Sequence, residues 1–332
     1  MSSTTLVIQT AFLGDVVLST PLLSALAAQH GPVDVVTTPI AAPLLETHPA
    51  VRRVIPYDKR GSDRGWAGVR LLAGRLKAEQ YARAYLPHRS LRTAALACLA
   101  RIPSRRGFSG GWSFLYTEAR SKPRTGHESD RLLALANEAP GAYPPQLRPT
   151  AADDHAAGAL VHGPFVALAP GSIWGSKRWP HYTELATKLA IQVQVVVVGG
   201  KDDVELGGEI VRAAGRSGGR AVNACGKLTL RQSAALIGRA AVLVTNDSAP
   251  LHLATAMGTP VVALFGPTVT EFGFGPMRPD DVALGVDGLL CRPCSSHGPP
   301  QCPLGHHRCM RELTVEAVTR AIEDLGALRR RN

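Results

Sequence analysis

Short apolar segments alternate with longer segments of helical period along most of this chain, and this alternation constrains its fold more than any other feature. In the amino-terminal part, strand-like segments occupy residues 4–9, 33–37, 51–56 and 82–86, and helix-like segments occupy residues 15–29, about 64–79 and 90–100. Because strands that are joined by helix-length connections form crossover units, the pattern predicts a parallel sheet.

A segment rich in Pro, Ala and Gly, residues 139–164, interrupts this alternation, and we predict the domain linker there. The alternation then resumes, with strands at 165–170, 193–200, 241–245 and 260–265 and with helices at 180–190, 203–215, from about Pro250, and at 313–326. A chain of 332 residues also exceeds what one hydrophobic core usually serves. We therefore predict an α/β protein of two Rossmann-like domains, residues 1–150 and 151–332, which face each other across a cleft and bind ligands at the carboxyl ends of their strands.

The positive charge of the chain is concentrated in one region. The formal net charge is +11, and residues 51–124 contain 17 Lys and Arg against 4 Asp and Glu, whereas the rest of the chain is close to neutral. Two interpretations stay open, a solvated basic face and a surface for an anionic partner such as lipid phosphate. Nucleic acid is the less suitable partner, because no binding module or stacking aromatic motif accompanies the charge.

The amino-terminal apolar segment does not resemble an export signal. It has no Lys or Arg before Arg52, and Asp15 lies within the apolar run. No stretch approaches the roughly 18 uncharged apolar residues that a membrane span needs. We therefore expect a cytoplasmic protein, in which the six cysteines are reduced or bind a metal.

The segment VTNDSAPLHLATAMG (244–258) predicts an anion site at the end of a strand. Asp247 and Ser248 follow the apolar strand, and Pro250 suits the first turn of the next helix. The free amides and the dipole of that first turn, which begins near Ala249, favour a diphosphate. Alternatively, Asp247 or Ser248 only caps the helix. His252 either contacts a phosphate or belongs to the core.

Three motifs in this order resemble those of family 9 glycosyltransferases, the bacterial lipopolysaccharide heptosyltransferases. They are FLGDVVLSTPLLSAL (12–26), APGSIWGSKRWP (169–180) and DSAPLHLATAMGTPVVALFG (247–266), and the resemblance extends from near residue 5 to near residue 310. It implies the two-domain GT-B fold, with the nucleotide sugar held mainly by the carboxyl-terminal domain and the acceptor by the amino-terminal domain. It also implies sugar transfer with inversion at the anomeric carbon, which needs a base for the acceptor hydroxyl and charge stabilisation for the leaving diphosphate.

The resemblance assigns the two catalytic roles to Asp15 and Lys177. Asp15 matches the proposed base, and Gly14 allows the ligand to approach the backbone closely; the alternative for Asp15 is an ordinary helix cap. Lys177 matches the lysine that pairs with the donor phosphates, and its alternative is a solvated loop lysine.

The remaining donor contacts are predicted around the same phosphates and the ribose. Gly171 and Ser172 offer backbone and hydroxyl donors to the phosphates. Asp202 is our choice for the ribose contact, with Asp203 and Glu205 as alternatives and with helix capping equally open for each.

The resemblance implies catalysis without a metal cofactor, and the sequence contains no D-x-D triplet of the kind that many cation-dependent sugar transferases carry. The Cys-rich segment near the carboxyl terminus has the spacing C-x2-C-x7-C-x6-C and resembles that of heptosyltransferase II members; its cysteines are Cys291, Cys294, Cys302 and Cys309. This spacing is compatible with a structural zinc site, and the alternative is a set of reduced packing thiols.

We thus predict an inverting transferase that moves L-glycero-D-manno-heptose from ADP-heptose to the lipopolysaccharide inner core. The acceptor is an anionic glycolipid, Kdo-lipid A or a heptosylated core, at the inner face of the inner membrane. Arg105 and Arg106, in the basic region, are the predicted contacts to its phosphates and Kdo carboxylates. Two alternatives remain, a family 9 transferase with another nucleotide sugar and a non-catalytic, zinc-stabilised interaction protein. A nicotinamide dehydrogenase is disfavoured, because no G-x-G-x-x-G follows the first strand.

Overall fold

Each half of the chain forms a sheet of six parallel strands in the computed structural model, which describes residues 4–328. Two compact units meet in the sequence between Arg148 and Pro149. None of the helices within residues 4–328 combines the length and the apolar character needed to cross a membrane.

The amino-terminal unit has the strand order β3-β2-β1-β4-β5-β6. Its strands are β1 (Thr5–Ile8), β2 (Val33–Thr37), β3 (Val51–Pro56), β4 (Arg83–Leu86), β5 (Ser104–Phe108) and β6 (Glu118–Arg120). Its helices are α1 (Leu13–Leu18), α2 (Thr20–His30), α3 (Ala42–Leu45), α4 (Gly65–Ala78), α5 (Leu91–Leu99) and α6 (Glu128–Leu133).

Helices cover both faces of this sheet, which is why its central strands are mostly apolar. Leu6 and Ile8 of β1 point into a core beneath α4 and α5, whereas Val7 points into a second core beneath α2 and α6. Successive side chains of a strand alternate between the two faces, so every residue of β1 is buried.

The carboxyl-terminal unit has the strand order β12-β11-β10-β7-β8-β9, again all parallel. Its strands are β7 (Phe165–Ala169), β8 (Gln194–Val197), β9 (Ala221–Asn223), β10 (Val242–Asn246), β11 (Val261–Leu264) and β12 (Val282–Leu284). Its helices are α7 (Ala151–Gly158), α8 (Tyr182–Ala190), α9 (Val204–Arg216), α10 (Leu230–Gly238), α11 (Ala249–Met257), α12 (Arg308–Arg311) and α13 (Val315–Asp324).

Both units therefore have the same doubly wound topology, in which the first strand pairs with the second on one side and with the fourth on the other. The connections that follow the first and the fourth strand lead to opposite sides of the sheet, so a crevice opens at the carboxyl ends of these two strands. The crevice lies beyond β1 and β4 in one unit and beyond β7 and β10 in the other. The prediction of an α/β protein with two Rossmann-like sheets is confirmed.

The predicted helix 15–29 is in fact two helices that meet at Ser19. Pro21 has no N–H to donate to the carbonyl oxygen of Val17, and the Thr20 hydroxyl donates to that oxygen instead, at 2.8 Å. A second difference concerns the linker, because the predicted segment 139–164 contains α7. A capping box between Thr150 and Asp153 starts this helix despite the surrounding Pro and Gly.

Candidate functional site

Asn246 joins the two segments that follow β7 and β10. Its side-chain nitrogen donates to the carbonyl oxygen of Pro170 at 2.9 Å. Its side-chain oxygen accepts from the Trp179 amide and from the Tyr182 hydroxyl, each at 3.2 Å. Asn246 is fully buried, so the amide fixes the loop 170–179 against the end of β10. Sequence analysis predicted no role for Asn246, although its position directly before Asp247, in the predicted anion site, could have indicated one.

Lys177 and Asp247 form a buried ion pair within this crevice. The Lys177 ammonium lies 2.6 Å from Asp247 Oδ2, and the hydroxyl of Thr268 donates to the same oxygen at 2.6 Å. The exposed fraction is only 7% for Lys177 and 8% for Asp247. Lys177 is therefore not a solvated loop lysine, and the Asp247 carboxylate binds Lys177 and Thr268 rather than capping α11.

The amino terminus of α11 lies directly behind this pair. Ser248 occupies the N-cap position but makes no side-chain cap, and its hydroxyl lies 3.4 Å from the carbonyl oxygen of Asn246. Ala249 and Pro250 begin the helix, as predicted. His252, in the first turn, is 5% exposed and lies edge-on to Phe274, with 6.2 Å between ring centroids. The positive end of the α11 dipole therefore adjoins the Lys177–Asp247 pair.

Gly171 is required because the Asp203 carboxylate occupies the space where a side chain would lie. A Cβ atom at Gly171 would overlap with Asp203 Oδ1. Asp203 also accepts a hydrogen bond from the Gly200 amide at 2.9 Å, whereas Asp202 is exposed on the same turn. Of the acidic residues considered for the ribose, Asp203 is thus the one that lies against the predicted phosphate loop.

Ser172 contributes to the shape of this loop. Its hydroxyl accepts from the Trp174 amide at 3.2 Å, and its carbonyl oxygen accepts from Arg178 Nε at 2.9 Å. Arg178 is exposed, in contrast to its buried neighbour Lys177.

The Cys-rich segment covers the loop that carries Lys177. His307 Nε2 donates to the carbonyl oxygen of Ser176 at 2.7 Å, and the Ser176 hydroxyl donates to the carbonyl oxygen of Pro299. Gly298 has φ +81°, and a Cβ atom there would be 3.1 Å from Lys177 Cε. The segment therefore restrains the lysine side chain, a role that its cysteine spacing did not predict.

The four cysteines of this segment differ in burial. Within residues 4–328, no group of three or more His, Cys, Asp and Glu side chains is arranged to hold a metal ion. Cys309 belongs to the hydrophobic core, where burial raises the pKa of its thiol to about 11. Cys291, Cys294 and Cys302 are half-buried free thiols. The structural zinc site and the set of packing thiols both stay predictions.

Asp15 lies near the crevice of the amino-terminal unit, in the first turn of α1. Its Oδ2 atom accepts from the Phe12 amide at 3.1 Å, so the helix-capping interaction considered for it is present. Asp15 is partly exposed, and the preceding Gly14 is buried. The cap fixes the carboxylate near the carboxyl end of β1.

Two cationic cavities open at this edge of the amino-terminal sheet. The first has a volume of about 350 Å³ and is lined by Thr10, Lys59, Arg60, Gly65, Trp66, Ser90, Leu91 and Arg92. The second has a volume of about 460 Å³ and is lined by Arg89, Ser109, Ser121, Lys122, Pro123, Arg124 and Arg131. Both combine several cations with a hydroxyl group, a lining that suits phosphate or carboxylate.

His88, which follows β4, lies near a cation of each cavity. Burial, followed by the charges of Lys59 and Lys122, lowers the pKa of His88 below its ordinary value of 6.5. Likewise, burial and the charges of Arg60 and Arg92 lower the pKa of Lys59. Such mutual repulsion among cations is relieved when an anion binds.

Arg105 and Arg106 have partners within the protein. Arg105 donates to the carbonyl oxygens of Ile102 and Leu115, at 2.6 Å and 2.9 Å. Arg106 pairs with Glu118 at 2.7 Å, and its guanidinium lies 5.5 Å from the centroid of the Tyr85 ring. These contacts hold both guanidinium groups at β5, and several cavity cations have protein partners too, such as Lys122 with Glu128.

Known proteins are similar to this chain both in sequence and in fold. Lipopolysaccharide heptosyltransferase 2 of Salmonella typhimurium is 31% identical over 291 residues, which is 80% of this chain and 84% of the relative. The solved structure of E. coli ADP-heptose lipopolysaccharide heptosyltransferase II superposes with a TM-score of 0.78 at 28% identity and covers 98% of each chain. A family 9 glycosyltransferase from Veillonella parvula has the same fold, with a TM-score of 0.86 at 23% identity over 98% of this chain and 97% of its own.

The architecture is accordingly that of a GT-B glycosyltransferase, as the motifs predicted. The model of the family described as glycosyltransferase family 9 (heptosyltransferase) matches residues 69–303. The chain belongs to this family.

Proposed function

We propose that this chain transfers L-glycero-D-manno-heptose from ADP-heptose to the lipopolysaccharide inner core, with inversion at the anomeric carbon. The observation that carries the proposal is the buried Lys177 ammonium beside the amino terminus of α11, at the switch point of the carboxyl-terminal sheet. Relatives named lipopolysaccharide heptosyltransferase 2 support the choice of heptose and of the lipopolysaccharide acceptor.

In this proposal the carboxyl-terminal unit, residues 151–332, binds the donor. The diphosphate lies between Lys177 and the first amides of α11, and Gly171 and Ser172 line its other side. As the bond from the anomeric carbon to the diphosphate breaks, negative charge develops on the leaving ADP, and the ammonium and the helix dipole stabilise it. These groups supply the positive charge that a divalent cation provides in other transferases.

Asp15 is the proposed base in the amino-terminal unit, residues 1–150. Its carboxylate accepts the proton of the acceptor hydroxyl while the oxygen of that hydroxyl attacks the anomeric carbon from the face opposite the diphosphate. The hydrogen bond from the Phe12 amide to Oδ2 holds the carboxylate in one orientation during this step.

The acceptor in this proposal is an anionic glycolipid, either Kdo-lipid A or a heptosylated core. In this proposal the cations of the two cavities bind its phosphates and carboxylates, together with Arg105 and Arg106. The protein then works in the cytoplasm, bound peripherally to the inner membrane, and nucleic acid is not a partner.

A transfer assay with purified protein tests the proposal. Wild-type protein is incubated with ADP-heptose, UDP-glucose or GDP-mannose and with Kdo-lipid A or its monoheptosylated form, and the products are identified by mass. We expect heptose transfer from ADP-heptose alone. Asp15→Asn keeps an oxygen for the Phe12 amide, so it should bind ADP normally while turnover falls by about 10²–10⁴-fold.

Transfer from another donor would retain the fold and the mechanism but overturn the choice of sugar. Absence of transfer from every donor, by protein that binds none of the nucleotides, would contradict the proposal altogether.

A further inference from the structure

One layer of the amino-terminal unit exposes large apolar side chains among cations. This layer consists of α4, α5 and the turn 112–116, and all three elements pack on the same core, to which they contribute Val69, Leu72, Leu96 and Tyr116. We call its outer surface the α4–α5 face. Its exposed apolar residues are Trp66, Leu71, Leu99, Trp112 and Phe114, and its exposed cations are Arg70, Arg75, Lys77 and Arg101.

The outward side of α4 has no acidic residue. The helix reads GWAGVRLLAGRLKA, and its buried side faces the core while Arg70, Arg75 and Lys77 point outward. Trp66 and Leu71 are 52% and 55% exposed between these cations. A basic helix that also exposes tryptophan and leucine has the composition of a surface that binds anionic membranes.

The turn 112–116 adds exposed aromatic side chains to the face beyond the helices. Phe114 is 73% exposed and Trp112 is 42% exposed, with 6.1 Å between their ring centroids. The turn is held from beneath by Tyr116, which packs on the core and against Gly107. The two aromatic rings are thus presented to solvent by a fixed turn, in the manner of side chains that insert at the level of lipid headgroups.

We propose that the α4–α5 face docks on the surface of an anionic lipid bilayer. Aromatic and leucine side chains enter the headgroup region, and the four cations contact lipid phosphates. Trp66 also lines the cationic cavity that contains Lys59 and Arg92, so the docked face adjoins a cavity suited to an anionic group of a glycolipid. The inference deepens the proposed function, because a lipid acceptor resides in such a surface, but lipid binding itself requires no turnover.

The test is flotation of the full chain with vesicles of phosphatidylglycerol and phosphatidylethanolamine, compared with vesicles of phosphatidylcholine. We expect wild-type protein to float with the anionic vesicles only, and less as the salt concentration rises. The variant Leu71→Ser/Phe114→Ser and the variant Arg70→Glu/Arg75→Glu should each lower the partition coefficient by about tenfold or more.

Two matched controls lie on the other unit. Ile191→Ser removes an apolar side chain that is 64% exposed, and Arg320→Glu reverses an exposed charge on α13; neither should change flotation. The proposal would be overturned if the face variants floated as well as these controls. It would also be overturned if wild-type protein did not float with anionic vesicles. The proposal would also be overturned if the protein did not float but its molecular mass rose with concentration, and if only the face variants abolished that rise. The face would then bind a second copy of the chain.

Activity separates this inference from the proposed function. The face variants should transfer sugar normally to a deacylated, water-soluble acceptor and more slowly to an acceptor embedded in anionic vesicles. If no variant or wild-type protein transfers sugar but the flotation pattern holds, the proposed function fails while the docking surface stands.

Discussion

The ammonium of Lys177 lies 2.6 Å from the carboxylate of Asp247, 70 residues further along the chain. The two residues meet because β7 and β10 are neighbours at the switch point of the sheet, and each residue lies in the segment that follows the carboxyl end of its strand. Asp247 and Thr268 fix the position of the ammonium before any ligand arrives. A donor diphosphate would therefore meet a cation that is already oriented, which is the requirement for stabilising a leaving group.

Removal of this cation should destabilise the protein. Lys177→Met leaves the Asp247 carboxylate buried with only the Thr268 hydroxyl as a partner, and we expect a loss of about 3 kcal/mol. Arg178→Met, at the exposed neighbouring position, should cost less than about 1 kcal/mol. Urea denaturation followed by circular dichroism compares the two, and equal midpoints would contradict the structural role of the pair.

Gly171 and Asp203 should be coupled in donor binding. Gly171→Ala places a Cβ atom against the Asp203 carboxylate, and we expect about a tenfold loss of ADP affinity as the loop shifts. In Gly171→Ala/Asp203→Ala the carboxylate is absent, so the added methyl group should cost much less than it does in the wild-type background. Calorimetry on all four proteins measures the coupling, and strictly additive losses would refute the contact.

His307 should act on the donor site through the loop that it holds. His307→Ala removes the hydrogen bond to the Ser176 carbonyl, so the Lys177 loop is less restrained, and we expect the KM for the donor to rise about three- to tenfold. His306→Ala is the matched control, because its ring accepts from the Arg308 amide instead. Identical kinetics for the two variants would exclude a positioning role for His307.

His48 should make stability depend on pH. Burial and the charge of Arg148 lower the pKa of His48 from 6.5 to about 4, so the unfolded chain takes up the proton first. Its contribution is present above pH 6.5 and is lost as the pH falls to about 4, with a limit of about 3 kcal/mol. Denaturation at several pH values should show that the free energy of unfolding has a shallower slope against pH for His48→Gln than for wild type. The exposed residue His155, changed to Gln, should leave the slope unchanged, and an unchanged slope for His48→Gln would disprove the assignment.

The fold was predictable because its central strands are nearly pure apolar runs, such as VQVVVV at 193–198. The strands that sequence analysis missed are β5, β6, β9 and β12, which are short or polar; β5, for example, reads SRRGF with two arginines. Edge and near-edge strands bury little of their surface, so they have no strong hydrophobic signal. Helix α7 was missed because its Ala and Gly content resembles a linker, whereas the capping box of Thr150 starts the helix.

For the site, the motifs indicated Asp15, Lys177 and the Asp247–Ser248 turn, but they did not indicate what each residue touches. The Lys177–Asp247 pair, the Asn246 contacts and the cover provided by His307 each join residues that are far apart in the sequence. Such contacts depend on which strands are neighbours in the sheet, and a local sequence pattern does not contain that information. The same holds for Arg105 and Arg106, whose charge was visible in the sequence but whose protein partners were not.

Calorimetric titration of ADP and UDP into wild-type, Lys177→Ala and Lys188→Ala proteins tests the central claim most directly, namely that the crevice beyond β7 and β10 binds the donor diphosphate. Lys188 is an exposed lysine on α8 and serves as the matched control. We predict that wild type binds ADP more tightly than UDP, that Lys177→Ala weakens ADP binding by about ten- to a hundredfold, and that Lys188→Ala leaves it unchanged. Wild-type protein that binds no ADP, or equal ADP affinities for the two lysine variants, would contradict the claim.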